Sequence, residues 1–313
     1  MLEAPICIVG AARSGTTTLG HRLAQHPEVV YCQEPKYVWR YRNPLAKTDV
    51  RTAGEATSTV RRYIRARLAD ELGQGDGQRL VEKTPSNCFR VPFLHAVLPE
   101  AYIVHLVRDG RDVAFSAREK WCRLKGEYDD NSTADQDYVD QISVYDRLID
   151  TYNRLVRPAW DRLRSLEVPL ADAPYYASKY MRRVVAGSEQ DHVWGPKFPG
   201  IYEAIQSHDL LELCAIQWRE SVRFALDGLR SVPDDQQITV RFEALVQRPA
   251  EIILRILDFA GLTEHPPLVE HAKETFSSDA AHRWRRRNET EVQRVMDQIG
   301  PFMRENLVGM RKP

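Results

Sequence analysis

The sequence carries no excess of charge of either sign: 44 lysines and arginines balance 44 aspartates and glutamates over 313 residues. That argues against a general nucleic-acid binder, and any cationic site has to be local. No apolar run approaches the roughly 18 residues that a membrane span needs. The chain enters a strand almost at its start, which leaves no room for a signal peptide. Cysteine is scarce. Cys7, Cys32, Cys88, Cys122 and Cys214 are scattered, odd in number and free of any Cys-x-x-Cys spacing. This speaks against a zinc site or a disulfide framework and for reduced thiols in the cytoplasm. Internal repeats, low-complexity tracts and interdomain linkers are lacking too. The expectation is a single domain over residues 1–313, with a core of the size its 43% hydrophobic content allows.

What is present begins at Ile6. The apolar run Ile6 to Val9 reads as a buried strand; it stops at Gly10, and a helix follows with Leu19 and Leu23 on one face. Strand, glycine loop and helix point backbone N–H groups and a positive helix end at an anion. Gly10 and Gly15 have the spacing of a Walker A loop, with Thr16 and Thr17 after them. The lysine that should follow the second glycine is missing, and the loop's cation is Arg13. A nucleotide triphosphatase with an aberrant loop stays open as a reading at this point.

Further along, Val29 to Cys32 reads as a short strand leading to Glu34 and Lys36, and a basic helix covers Ser58 to Glu71. Leu80-Val81 runs into Glu82-Lys83-Thr84, and Tyr102 to Val107 is a clear strand ending in Arg108. A helix from about Asp109 to Trp121 takes Asp109 as its N-cap. Charged residues at strand ends mark the usual site of an open α/β sheet. Helical spacing covers 134 to 165, divided at Pro158. Residues 168 to 200 are irregular, as lids and binding loops are. Leu210 to Leu229 is helical, Gln237 to Phe242 alternates as a strand, and Ala250 to Ala260 is a helix closed by Gly261. A basic cluster (Arg283, Arg285, Arg286 and Arg287) surrounds Trp284 before a last helix from Glu289 to Leu307. The fold class is therefore α/β. A three-layer α/β/α arrangement with a mostly parallel sheet and a P-loop-like phosphate loop is expected, with a helical and irregular cap over 134–235.

Four segments together resemble the sulfotransferases that use 3′-phosphoadenosine 5′-phosphosulfate. Arg13-Ser14-Gly15-Thr16-Thr17-Thr18 is similar to that family's 5′-phosphosulfate loop. Arg108 to Ser116 is similar to its 3′-phosphate motif, in which the first arginine and the serine hold the phosphate. Arg241-Phe242-Glu243 with Pro249 resembles its late strand-turn, and Trp284-Arg285 resembles the segment that closes over the nucleotide in bacterial members. Phe242 stands where some relatives place a tyrosine. The histidine base of the cytosolic small-molecule enzymes is absent from the Glu82-Lys83-Thr84 region.

The resemblance implies sulfuryl transfer from that donor to a hydroxyl, without a metal. The transferred group carries little charge, so side chains and helix dipoles suffice. Arg13 is expected on the leaving-oxygen side, and Ser14, Gly15, Thr16, Thr17 and Thr18 on the 5′-phosphate. Arg108, Ser116 and Arg285, with Arg283 or Arg286 as alternatives, are expected on the 3′-phosphate. Lys83 either completes the clamp on the sulfonate or pairs with Glu82. A carboxylate is expected as the base: Glu34 first, Glu82 second, with a cap histidine such as His192 third. Trp39, Trp194 and Tyr202 are either core or acceptor pocket. The acceptor class is open among small-molecule, carbohydrate, lipid and peptide hydroxyls, and a homodimer is allowed.

Overall fold

The computed structural model describes residues 2–43, 46–73, 75, 77–125 and 193–307. They belong almost wholly to one compact unit, Met1–Leu124 with Trp194–Pro313; a second unit is Lys125–Val193. The helix expected over 134–165, the irregular stretch up to His192, and His192 itself lie outside the described residues. Of the expected cap, only 193–235 is described.

Five strands form one parallel sheet in the order β2-β3-β1-β4-β5. They are β1 (Ile6–Val9), β2 (Val29–Gln33), β3 (Arg79–Lys83), β4 (Tyr102–Val107) and β5 (Gln237–Arg241). The three inner strands are buried on both faces, β1 and β4 as mainly apolar runs and β3 as Leu80-Val81 leading into the buried Glu82 and Lys83, whereas the edge strands β2 and β5 are only partly covered. This is how burial distributes in a sheet with helices on both sides. On one face, Ile6, Ile8, Val81, Val104 and Leu106 pack with α1 (Thr16–Leu23) and with two later helices. We label those α9 (Pro249–Phe259) and α10 (Pro266–Thr275). The other face carries α3 (Ser58–Leu72), α4 (Val91–Val97) and α7 (Leu210–Leu229). The layer order is thus α/β/α.

The register sets the strand ends level. Ile8 lies beside Lys83, Gln33 beside Lys83, and Val107 beside Arg241. Gly10, Glu34, Thr84, Arg108 and Phe242 therefore leave the sheet along one edge. The chain turns from β1 toward β2 on one side and from β4 toward β5 on the other. The crevice between the carboxyl ends of β1 and β4 is the topological switch point. Both α1 and α5 (Gly110–Lys125) start there.

The remaining α-helices among the described residues are α2 (Lys36–Trp39), α6 (Ile201–Ser207), α8 (Phe242–Gln247) and α11 (Glu289–Asn306). Among the described residues no helix is long and apolar enough to cross a membrane. The five cysteines are free.

Candidate active site

The loop after β1 is shaped by two glycines. A Cβ at Gly10 would stand 2.6 Å from the Leu106 carbonyl oxygen and 2.7 Å from the Thr16 methyl. Gly15 has φ +89°, and a Cβ there would meet the Phe242 ring at 2.6 Å. Neither position admits a side chain, and Gly15 passes the chain directly into α1 with the first N–H groups uncovered. Arg13, between them, has φ 70°. Its Nε donates to Ser116 Oγ at 3.0 Å, and Arg108 Nη1 donates to the Arg13 carbonyl at 3.3 Å. Arg13 thus meets Arg108 and Ser116, 95 and 103 residues further along the chain, across the switch point. Ser14 and Thr16 are buried, Thr17 is half-buried, and Thr18 is exposed on the first turn of α1.

Asp109 caps α5, its Oδ1 accepting the Arg111 N–H at 2.9 Å. Three residues on, Asp112 holds the C-terminal segment. Its two oxygens accept the backbone N–H groups of His282 and Trp284, each at 2.8 Å. Arg108 joins the same junction through the Ala280 carbonyl (2.6 Å) and Asp112 (3.6 Å), with its guanidinium over the Phe242 ring. Burial pulls the Arg108 pKa down from its ordinary value; Asp112 and Glu243 oppose this, and Arg283 adds to it. Arg287 pairs with Glu119, and Arg111 lies over the Trp284 ring. Several buried polar atoms here lack a partner among the described residues: Ser14 Oγ, Arg108 Nε, His282 Nδ1 and Trp284 Nε1. Hydroxyl and N–H donors left unpaired around two arginines suit a phosphorylated nucleotide.

At the ends of β2 and β3 a second group forms. Lys83 is fully buried, and its Nζ donates to Glu34 Oε1 at 2.6 Å. Glu34 has φ 54° before Pro35, a conformation disfavoured both for a side-chain-bearing residue and for one preceding proline. It is fixed by its own N–H on the Lys83 carbonyl at 2.9 Å. Backbone strain of this kind persists where surrounding contacts over-determine it, and it gathers at functional sites. Arg13, Glu34 and His282 all carry it.

Glu82 faces away from this group. It is fully buried, and its oxygens accept from Trp39 Nε1 (2.9 Å), Thr84 Oγ1 (2.5 Å) and Asn87 Nδ2 (3.0 Å). Burial pushes its carboxyl up to about 7, against the pull of those donors. Lys83 thus takes its hydrogen bond to Glu34, not to Glu82.

Other expected residues fall elsewhere. Trp39 has no exposed surface, with its ring against Phe93, and belongs to the core. Trp194 packs edge-on to Trp121, and the Tyr202 hydroxyl is 3.5 Å from Lys197 Nζ. Arg285 is exposed beside Trp284, whereas the charge of Arg283 bears on Arg108. Asp112 went unnoticed in the sequence as a site residue, although it stands in the first turn of α5, four residues after Arg108.

Asp112→Ala should lower stability by about 2–4 kcal/mol, because two backbone donors and one arginine lose a buried acceptor. Thermal unfolding measures this; an unchanged midpoint would mean that the C-terminal segment is held by other contacts.

A P-loop-like α/β sheet with paired cationic groups at its switch point defines the class. Residues 5–172, just over half of the chain, match the Sulfotransferase family, and the chain belongs to that family. It is 28% identical over 132 residues to nodulation protein NoeE of Sinorhizobium fredii, a match covering 37% of this chain and 32% of NoeE. The match thus spans about a third of that relative's length. Among solved structures it is similar to the sulfotransferase domain from the curacin biosynthetic pathway. That likeness has a TM-score of 0.52 at 15% identity over 96% of this chain and 98% of that one, and bears on the fold. The sulfotransferase domain of the Synechococcus PCC 7002 olefin synthase scores 0.48 at 16% identity, over 95% and 96% of the two chains.

Proposed function

We propose that the protein transfers the sulfuryl group of 3′-phosphoadenosine 5′-phosphosulfate to an acceptor hydroxyl, with Glu34 as general base. The observation that carries this reading is the meeting of Arg13, Ser116 and Arg108 at the switch point, beside unpartnered buried donors. Arg108, Ser116 and the tail arginine Arg283 suit the donor's 3′-phosphate. The loop N–H groups with Ser14, Gly15, Thr16, Thr17 and Thr18 suit its 5′-phosphate. Arg285, exposed like Arg283 on the same short turn, is a candidate for the same phosphate.

Lys83 and Arg13 neutralise charge on the sulfonate and the leaving oxygen. The acceptor O–H proton passes to Glu34 as the acceptor oxygen bonds to sulfur. The bond from sulfur to the 5′-phosphate oxygen breaks and leaves its electron pair there. The products are the sulfated acceptor and adenosine 3′,5′-bisphosphate. Cations and dipoles fixed in advance around this charge stabilise the transition state without reorganising.

Glu82 has the better-matched pKa, but its oxygens are taken by Trp39, Thr84 and Asn87, and geometry decides before pKa does. Its three donors fix Trp39, Thr84 and Asn87, so it serves the fold.

The test is a labelled-donor screen against metabolite extracts and a panel of hydroxyl compounds, with adenosine bisphosphate binding measured in parallel. Transfer of label that survives a chelator, and no ATP hydrolysis, are expected. Magnesium-dependent ATP turnover without bisphosphate binding would overturn the reading. Arg108→Ala should weaken bisphosphate binding about 10- to 100-fold through the loss of charge-assisted bonds. Calorimetric titration reads this directly, and unchanged affinity would remove Arg108 from the site.

A further inference from the structure

The Glu34 carboxylate is shared between two ammonium groups that are held very differently. Lys83 Nζ sits on Oε1 at 2.6 Å, and Lys36 Nζ sits on Oε2 at 2.7 Å. The Lys83 side chain is 0% exposed and the Lys36 side chain 64% exposed. Lys83 cannot withdraw without stranding an ammonium in the interior, which is costly. Lys36 swings on a flexible stem into water, and an exposed pair of this kind is weak.

The backbone beneath Lys36 does not follow that swing. The helix α2 that Lys36 opens ends at Trp39, whose indole donates to Glu82 and whose carbonyl accepts from Arg51 (3.0 Å) and Arg90 (3.3 Å). The Lys36 N–H is itself bonded to the Glu34 carbonyl at 2.6 Å. Motion is therefore confined to the Lys36 side chain.

An acceptor hydroxyl that reaches the carboxylate meets an ammonium on each oxygen, and of the two only Lys36 can leave for solvent. Resting on the reading of Glu34 as base, we propose that Lys36 is a positioning residue that gates it: the hydroxyl docks on Oε2 by displacing the Lys36 ammonium, while Lys83 stays on Oε1.

The exchange also tunes the base. Burial raises the Glu34 pKa, and Lys36 on α2 and Lys83 on β3 more than offset it, so the carboxyl is held below its ordinary range. With Lys36 seated, Glu34 is ionised but a poor proton acceptor. Once Lys36 leaves, one lowering charge is gone while burial persists, and basicity rises as the hydroxyl arrives. A proton acceptor works best when its pKa lies nearer the operating pH.

Lys36→Met, Lys36→Arg and Glu34→Gln would be compared with the parent protein, using the donor with 2-naphthol as probe hydroxyl. In Lys36→Met the acid limb of the kcat/KM profile should move to higher pH, and the KM for 2-naphthol should fall roughly 2- to 5-fold. Lys36→Arg should restore both. A second measurement needs no acceptor. The ¹³C carboxyl signal of labelled glutamate that vanishes in Glu34→Gln should titrate at higher pH in Lys36→Met. Equal titration of that signal in Lys36→Met and the parent protein would overturn the gate. So would a lower kcat at unchanged KM, which would make Lys36 a transition-state cation. If Glu34→Gln keeps its turnover, the base reading fails instead, and the two failures are told apart.

Discussion

Glu34→Gln should lower kcat about 10²- to 10⁴-fold, the usual worth of a positioned general base, with adenosine 3′,5′-bisphosphate binding unchanged. The substitution keeps the shape of the side chain and removes its ability to take a proton. The site tolerates it structurally, because the Glu34 side chain is 26% exposed and its backbone is tied by its N–H to the Lys83 carbonyl. The amide oxygen can still accept from Lys83, while the amide nitrogen, a donor, turns Lys36 away into solvent. On the proposed reading donor binding rests on the Arg13, Ser116 and Arg108 group, whereas Glu34 holds Lys36 and Lys83. Single-turnover transfer of labelled sulfate to a probe hydroxyl, with binding measured on the same sample, separates the two effects. Turnover within a few-fold of the parent protein would send the base assignment elsewhere. Glu82 would be a poor heir, since a hydroxyl would first have to dislodge Trp39, Thr84 or Asn87 from a fully buried carboxylate.

The strands were legible because a buried parallel strand is a short apolar run, and β1 and β4 have the expected bounds. The helix read over Leu210 to Leu229 has those same ends in the structure. The glycine loop between β1 and α1 was legible because its two glycines and its arginine sit within a few residues of one another. Lateral neighbours were harder. That Lys83 lies beside Gln33, and so under Glu34, follows from β2 pairing with β3, which chain order does not dictate. Alternation along a strand does send Glu82 and Lys83 to opposite faces, and this was the available signal against pairing them. For Trp39 core and pocket both stayed open, because an aromatic residue near polar ones gives no sign of a buried carboxylate waiting for its N–H; the structure places it in the core. The choice among the tail arginines was not legible, because Arg283, Arg285 and Arg286 all lie exposed on one short turn, Arg283–Arg286, entered through His282 at φ 59°. Helices α4 and α10, which begin beside prolines, were not read at all; proline is as much a first-turn residue as a breaker.

Lys83→Met should depress kcat by about 10²-fold or more, comparable to removing one oxyanion contact. Lys83→Arg should not rescue it. The pocket around Nζ is fully buried and holds a compact ammonium, and a planar guanidinium brings more volume and more donors than Glu34 Oε1 can satisfy. The same variant carries a stability signature that a purely catalytic lysine would lack. The lysines depress the Glu34 pKa below its unfolded value, so their ion pair contributes stability above the ordinary carboxylate range. That contribution is lost as pH falls through the lowered pKa, when Glu34 takes up its proton and leaves the Lys83 ammonium buried without a counter-ion. Lys83→Met has no such ammonium to strand. The difference in Tm between the parent protein and Lys83→Met should therefore shrink as the medium is made more acid than the ordinary carboxylate range. A difference that stays constant from neutral to acid pH would mean that Lys83 is not paired with an ionised Glu34 in solution, and the clamp on the sulfonate would then need another cation.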